Sequence, residues 1–207
     1  MKFRNFGFLS GILGLWCCLI SARAATHETT VTSPDGNLSI TLSLGTDINI
    51  SAAYRGKAVM KVGQCNLVVN GSALANEIAS VSVKKINTVQ YPLIREKRAA
   101  VADFCNETTI RFRSQGGLVI RVYNDGFAYR FYTRFKADTV TVDRESARFN
   151  FETGDSVCLP IIRCRTDPGV DCFHTSFEED FVFRKPEQVS TGELAYLPVY
   201  ARTSGQF

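Results

Sequence analysis

The chain has 207 residues, 45% hydrophobic and 21% charged, with 24 Lys+Arg against 20 Asp+Glu for a formal charge of +4. That length suits one domain. The composition excludes whole-chain disorder, a collagen-like fibre and low-complexity sequence, and no Lys/Arg run supplies the clustered positive charge that nucleic acid or an anionic membrane surface requires.

Residues 1–24 read as a secretory signal. Lys2 and Arg4 precede an apolar stretch at 6–20, and Ser21-Ala22-Arg23-Ala24 puts small residues where a signal peptidase needs them, so cleavage is expected after Ala24. The stretch is short and glycine-broken against the ~20 residues of a spanning helix. The mature protein, residues 25–207, is therefore expected in the periplasm or secreted, with no stable membrane insertion. Cleavage removes Lys2, Arg4 and Arg23, which leaves the mature chain nearly neutral, and it removes Cys17 and Cys18. Cys65, Cys105, Cys158, Cys164 and Cys172 remain, an odd set in an oxidising compartment. The last three, with His174, lack the spacing of roughly two to four residues by which one turn presents two zinc ligands. A disulfide among those three fits better, and Cys65 and Cys105 read as buried free thiols.

From Val31 onward the apolar period is two. Ser33-Pro34-Asp35-Gly36 is a turn, and residues 37–44 then alternate strictly, as a strand with one buried and one wet face does. Alternation returns at 48–54, breaks at Arg55-Gly56-Lys57 and resumes at 58–60, which predicts a hairpin. Residues 67–69 run into Asn70-Gly71, a strong tight-turn signal. Strands are predicted at 78–83 and 108–113, then at 118–123 and 127–132 around Asn124-Asp125-Gly126, and again at 139–142 and 147–151. Residues 193–200 read as a strand and 202–205 as the turn after it, so that Gln206-Phe207 would begin a return strand. The strand at 193–200 would then lack its partner, and the fold is expected to be truncated at its C-terminal end. No mature window carries a helical apolar stripe. Many short strands joined by turns predict an all-β chain, a large antiparallel β-sandwich.

Residues able to carry chemistry are few. His27 falls just past the cleavage point, where chain ends are usually disordered. His174 is the other imidazole, and Ser176 is too near it in sequence to indicate a facing nucleophile. No phosphate loop, metalloprotease helix or calcium-binding helix-loop-helix spacing occurs. Asp125 fits a positive-φ turn position. The acidic run Glu178-Glu179-Asp180, set between Phe177 and Phe181, admits two readings: a solvated acidic turn, or carboxylate oxygens of the kind calcium takes, with one or two at most able to ligate together.

With these blocks in order, the chain resembles the amino-terminal domain of glycoside hydrolase family 97, secreted α-glycosidases of the Bacteroides type. The resemblance rests on Ser33-Pro34-Asp35-Gly36-Asn37-Leu38, on Tyr54-Arg55-Gly56-Lys57-Ala58-Val59, on Asn106-Glu107 and above all on the run Arg121-Val122-Tyr123-Asn124-Asp125-Gly126-Phe127-Ala128-Tyr129-Arg130-Phe131. It implies a galactose-mutarotase-like sandwich preceding a (β/α)8 barrel that holds the catalytic carboxylates. It also implies a calcium ion held mostly by barrel glutamates, with one glutamate from the sandwich. The matching stretch is Glu178-Glu179-Asp180-Phe181, with Glu179 where the family tends to have an aromatic, and it makes Glu178 the implied calcium ligand. No catalytic residue is assigned, and this chain alone is expected to be inactive. The implied reaction of the parent glycoside hydrolase is hydrolysis of terminal α-glucosides or α-galactosides, its partner an α-linked oligosaccharide bound through the barrel. The competing reading is a free-standing periplasmic carbohydrate-binding module, disfavoured because Trp16 leaves with the signal.

Overall fold

The computed structural model describes residues 26–74, 77–94, 97–162, 172, 174 and 176–204. The expected leader at 1–24 and the expected return strand at 206–207 lie outside them. Among the described residues no helix is long and apolar enough to cross a membrane.

Among the described residues, three antiparallel sheets make the fold. The first is ordered β1 (His27–Thr32), β2 (Leu38–Leu44), β3 (Ile48–Tyr54), β4 (Lys57–Val69) and β10 (Val142–Asn150), with the two-residue β5 (Ser72–Ala73) paired to β4. The second runs β6 (Ile78–Gln90), β7 (Val101–Phe112), β8 (Gly116–Val122) and β9 (Phe127–Thr133). The third places β11 (Ser156–Pro160) between β12 (Phe181–Arg184) and β13 (Tyr200–Arg202).

One shared apolar core makes the first two sheets a sandwich. Ile40 and Leu42 of β2, Ile50 of β3 and Val62 of β4 meet Ile110 and Phe112 of β7 and Leu118, Ile120 and Val122 of β8 in one buried cluster. Each such side chain contributes about 1.5–3 kcal/mol by leaving water. The turn before β2 is set by Asp35, which accepts from the Ser33 hydroxyl at 2.6 Å and the Asn37 amide at 3.0 Å, while Gly36 takes φ +76. These bonds hold the Asp35 carboxyl below its ordinary pKa, the Ser33 hydroxyl foremost. The Asp35 amide in turn donates to Asn124 Oδ1 at 3.1 Å, which ties the β1–β2 turn to the β8–β9 turn.

Several expectations need correction. His27 is not in a disordered end: it opens β1 and pairs with Leu44. The segments at 58–60 and 67–69 are one strand, β4, in which the bulge at Gly63-Gln64 hides the continuity. Gln64 takes φ +54, and the inward positions change from even (Val62) to odd (Cys65, Leu67, Val69). Residues 139–141 are loop, and the strand begins at Val142. The strand at 193–200 shrinks to a bridge between Ala195 and Ile161, followed by β13, whose partner is β11 through Ser156 and Arg202. β13 is an edge of the third sheet, paired on one side only among the described strands.

Candidate functional site

Glu178 sits in the loop that enters β12, and Tyr196 organises that loop. The Glu179 amide donates to Tyr196 Oη at 2.9 Å. Phe177 and Phe181 pack edge-on against the Tyr196 ring, with centroids 5.1 and 6.4 Å away. Phe177 pays for this arrangement with a left-handed backbone, φ +58, a conformation a bulky residue adopts only under constraint. Glu179 is half-buried, whereas Glu178 and Asp180 are exposed. The aromatic stripe continues along one face of the third sheet. Phe183 and Tyr200 both stand opposite Cys158 and meet edge-on at 6.4 Å, and they remain 66% and 60% exposed.

The donor set answers part of the metal question. Glu178 has the hard, accessible carboxylate that calcium takes, but among the described residues no group of three or more His, Cys, Asp or Glu could hold a metal ion. This chain's described residues thus fit a contribution of one ligand, not a complete site. His174 and Ser176 are exposed. Cys65, Cys105 and Cys158 are buried free thiols; Cys172 is disulfide-bonded, and Cys164 lies outside the described residues.

A second feature is a cleft of about 590 Å3 at the end of the sandwich. Its apolar wall comes from Tyr54, Met60, Phe127 and Phe151, and its rim carries Asn124, Asp125 and Asn150. Neither Asp125 nor Gly126 takes positive φ, contrary to the sequence expectation. The turn is held instead by the Tyr123 amide donating to the Gly126 carbonyl at 2.8 Å, and Asp125 stands exposed at the cleft mouth. Asp155 closes one side with its carboxylate fully engaged: it accepts from the Glu152 amide and the Ser204 amide, each at 2.7 Å.

A third feature is an ion network on the outer face of the second sheet. Buried Glu107 accepts from Arg121 Nε at 2.6 Å and Lys84 Nζ at 2.9 Å, while Asp103 accepts from Arg121 Nη1 at 3.3 Å and Tyr123 Oη at 3.0 Å. Burial pushes the Glu107 carboxyl up, but the bonds and charges of Lys84 and Arg121 outweigh it and hold the group below its ordinary value. Every acid and base here is committed to a neighbour, so the network braces strands.

Two sheets closed over one apolar core, extended by a third, define a large antiparallel β-sandwich. The sequence profile of the Glycosyl-hydrolase 97 N-terminal family matches residues 31–207, and the chain belongs to that family. Among curated proteins it is 24% identical over 185 residues to "Retaining alpha-galactosidase" of Bacteroides thetaiotaomicron, a match covering 88% of this chain and 28% of that protein. Among solved structures, that of a beta-arabinopyranosidase matches with a TM-score of 0.61 at 25% identity, over 74% of this chain and 26% of that one. The chain spans little more than a quarter of the length of these relatives.

Proposed function

We propose that this chain is the amino-terminal, non-catalytic sandwich of a secreted or periplasmic α-glycosidase that hydrolyses terminal α-glucosides or α-galactosides with calcium. In this reading the sandwich frames the carbohydrate site, Glu178 supplies one calcium ligand, and a catalytic barrel in the same polypeptide supplies the rest. Calcium would orient the reacting groups and act as a Lewis acid.

The observation that carries the reading is the left-handed Phe177 beside Glu178. A strained residue survives only where its surroundings over-determine it, and here the surroundings are Tyr196 and, packed on the same ring, Phe181. They hold a short acidic loop beside an exposed aromatic stripe, the kind of surface another domain covers. In this reading the catalytic barrel covers that stripe, with Glu178 at its margin.

Two measurements test this. The chain alone should not hydrolyse a chromogenic α-glucoside, with or without calcium; turnover that survives repurification overturns the non-catalytic assignment. In the complete enzyme, Glu178→Gln should raise the calcium concentration for half-maximal activity at least tenfold, and Glu179→Gln should leave it within about twofold. Equal effects of the two substitutions would remove Glu178 from the calcium site.

A further inference from the structure

We infer that the cleft beside the β8–β9 turn binds a saccharide, independently of the Glu178 loop. The two lie on opposite edges of the third sheet: Glu178 leads into β12, whereas Ala201 of β13 and Thr203 line the cleft. At about 590 Å3 the cleft falls within the ~300–1,000 Å3 of small-molecule sites.

Its chemistry selects the ligand class. No Lys or Arg lines it, while Asp125 and Asp155 do, so a phosphate or other anion would meet repulsion without a counter-charge. The wall is aromatic and aliphatic, with Phe127 and Phe151 presenting ring surface and Met60 a flexible filler. The rim holds polar groups with capacity to spare. Asn124 spends its oxygen on the Asp35 amide, which leaves its NH2 donors for a ligand. Asp125 offers an acceptor-only carboxylate, and Asn150 both a donor and an acceptor. A pyranose has that double character, with C–H faces that lie on apolar rings and equatorial hydroxyls that exchange hydrogen bonds with carboxylates and amides at the edge.

Asp155 keeps the cleft's shape rather than reading the ligand. Its oxygens already hold the Glu152 and Ser204 amides, which fixes β13 with its Ala201 and the Thr203 that follows it. Ligand recognition therefore falls to Asn124, Asp125 and Asn150, and these side chains come from the β8–β9 turn and the end of β10.

The test is NMR-detected titration of the complete chain with maltotriose, in chelator so that calcium plays no part, with inorganic phosphate and a hydrophobic dye as comparison probes. Maltotriose should shift the resonances of 124–127 and 150–151, phosphate should not, and Asp125→Ala or Asn150→Ala should weaken binding at least fivefold with an unchanged circular dichroism spectrum. Glu178→Gln should leave the titration as it is, so a failed calcium assignment and a failed cleft give different results. No shift at the cleft of a folded protein, shifts indifferent to both substitutions, or dye-induced shifts at 124–127 and 150–151 where the saccharide gives none would each overturn the inference.

Discussion

Arg121 Nε donates to Glu107 Oε2 at 2.6 Å between directly paired positions of β8 and β7, on the face of the second sheet turned away from the core. Glu107 is 6% exposed, and Lys84 reaches it from β6, so one carboxylate joins three strands. Glu107→Gln should cost about 2–3 kcal/mol at neutral pH, toward the low end for a broken buried pair because Arg121 and Lys84 retain access to water. Folding lowers this carboxyl's pKa, so its contribution is complete above the ordinary glutamate value of 4.5 and is lost as the pH falls below it. Urea denaturation of both proteins near neutrality and at acid pH checks this; a stability gap that stays constant with pH would assign the loss to packing.

Gly117 lies where β8 passes beneath the ring of Tyr132 on β9. A Cβ there would come within 2.6 Å of the ring carbon Cζ and would also strike the Ile110 carbonyl. Backbone on one side cannot give way, so Gly117→Ala should destabilise by about 3 kcal/mol, the upper end for overpacking. Gly126→Ala is the control, with nothing within 4 Å of its Cβ and no positive φ; it should stay within about 0.5 kcal/mol of the parent. Thermal melts of the two variants side by side decide it.

Strict alternation in β2 and β3 made the sandwich core legible, because a buried face leaves a period of two. It failed where both faces of a strand are wet or charged. The outer halves of β6 and β7 carry Lys84, Asp103 and Glu107 and have no apolar rhythm, so each strand extends well beyond its predicted span. β11 and β12 escaped for a related reason: one is buried along nearly its whole length, and the other is exposed. The acidic run at 178–180 was legible as a candidate source of calcium ligands, but only the family resemblance singled out Glu178 within it. The cleft had no sequence signature at all, since its walls come from Tyr54, Phe127, Phe151 and Ala201, distant in the chain and gathered by the closure of the sheets.

The aromatic stripe of the third sheet gives a prediction about behaviour in solution. Phe183 and Tyr200 present large apolar surface in one row, backed by Phe181. The isolated chain should self-associate with rising concentration and bind a hydrophobic dye. Phe183→Ser with Tyr200→Ser should cut the dye signal by about half or more and shift sedimentation toward monomer, with little change in secondary structure. An unchanged monomer fraction would show that this face does not drive association.

Asp155 joins stability to the cleft. Its Oδ2 accepts the Glu152 amide, its Oδ1 the Ser204 amide and, at 3.1 Å, the Ser204 hydroxyl. The backbone bonds from Glu152 and Ser204 hold the carboxyl below the ordinary aspartate value of 3.8, so the anchor is intact above that pH and releases as the pH falls below it. Asp155→Asn keeps the shape but sets an NH2 donor against one of the amides it must accept, and loss of such a charge-assisted bond costs about 1.5–3 kcal/mol. Because Ser204 sits two residues beyond β13, the loss should be local before it is global. Amide exchange at 200–204 should accelerate at least tenfold while Ile120 in the core keeps its protection. Saccharide binding at the cleft should weaken in parallel, since Ala201 and Thr203 form its wall. Unchanged exchange at 200–204 would show that pairing with β11 alone holds the strand and that the carboxylate is dispensable.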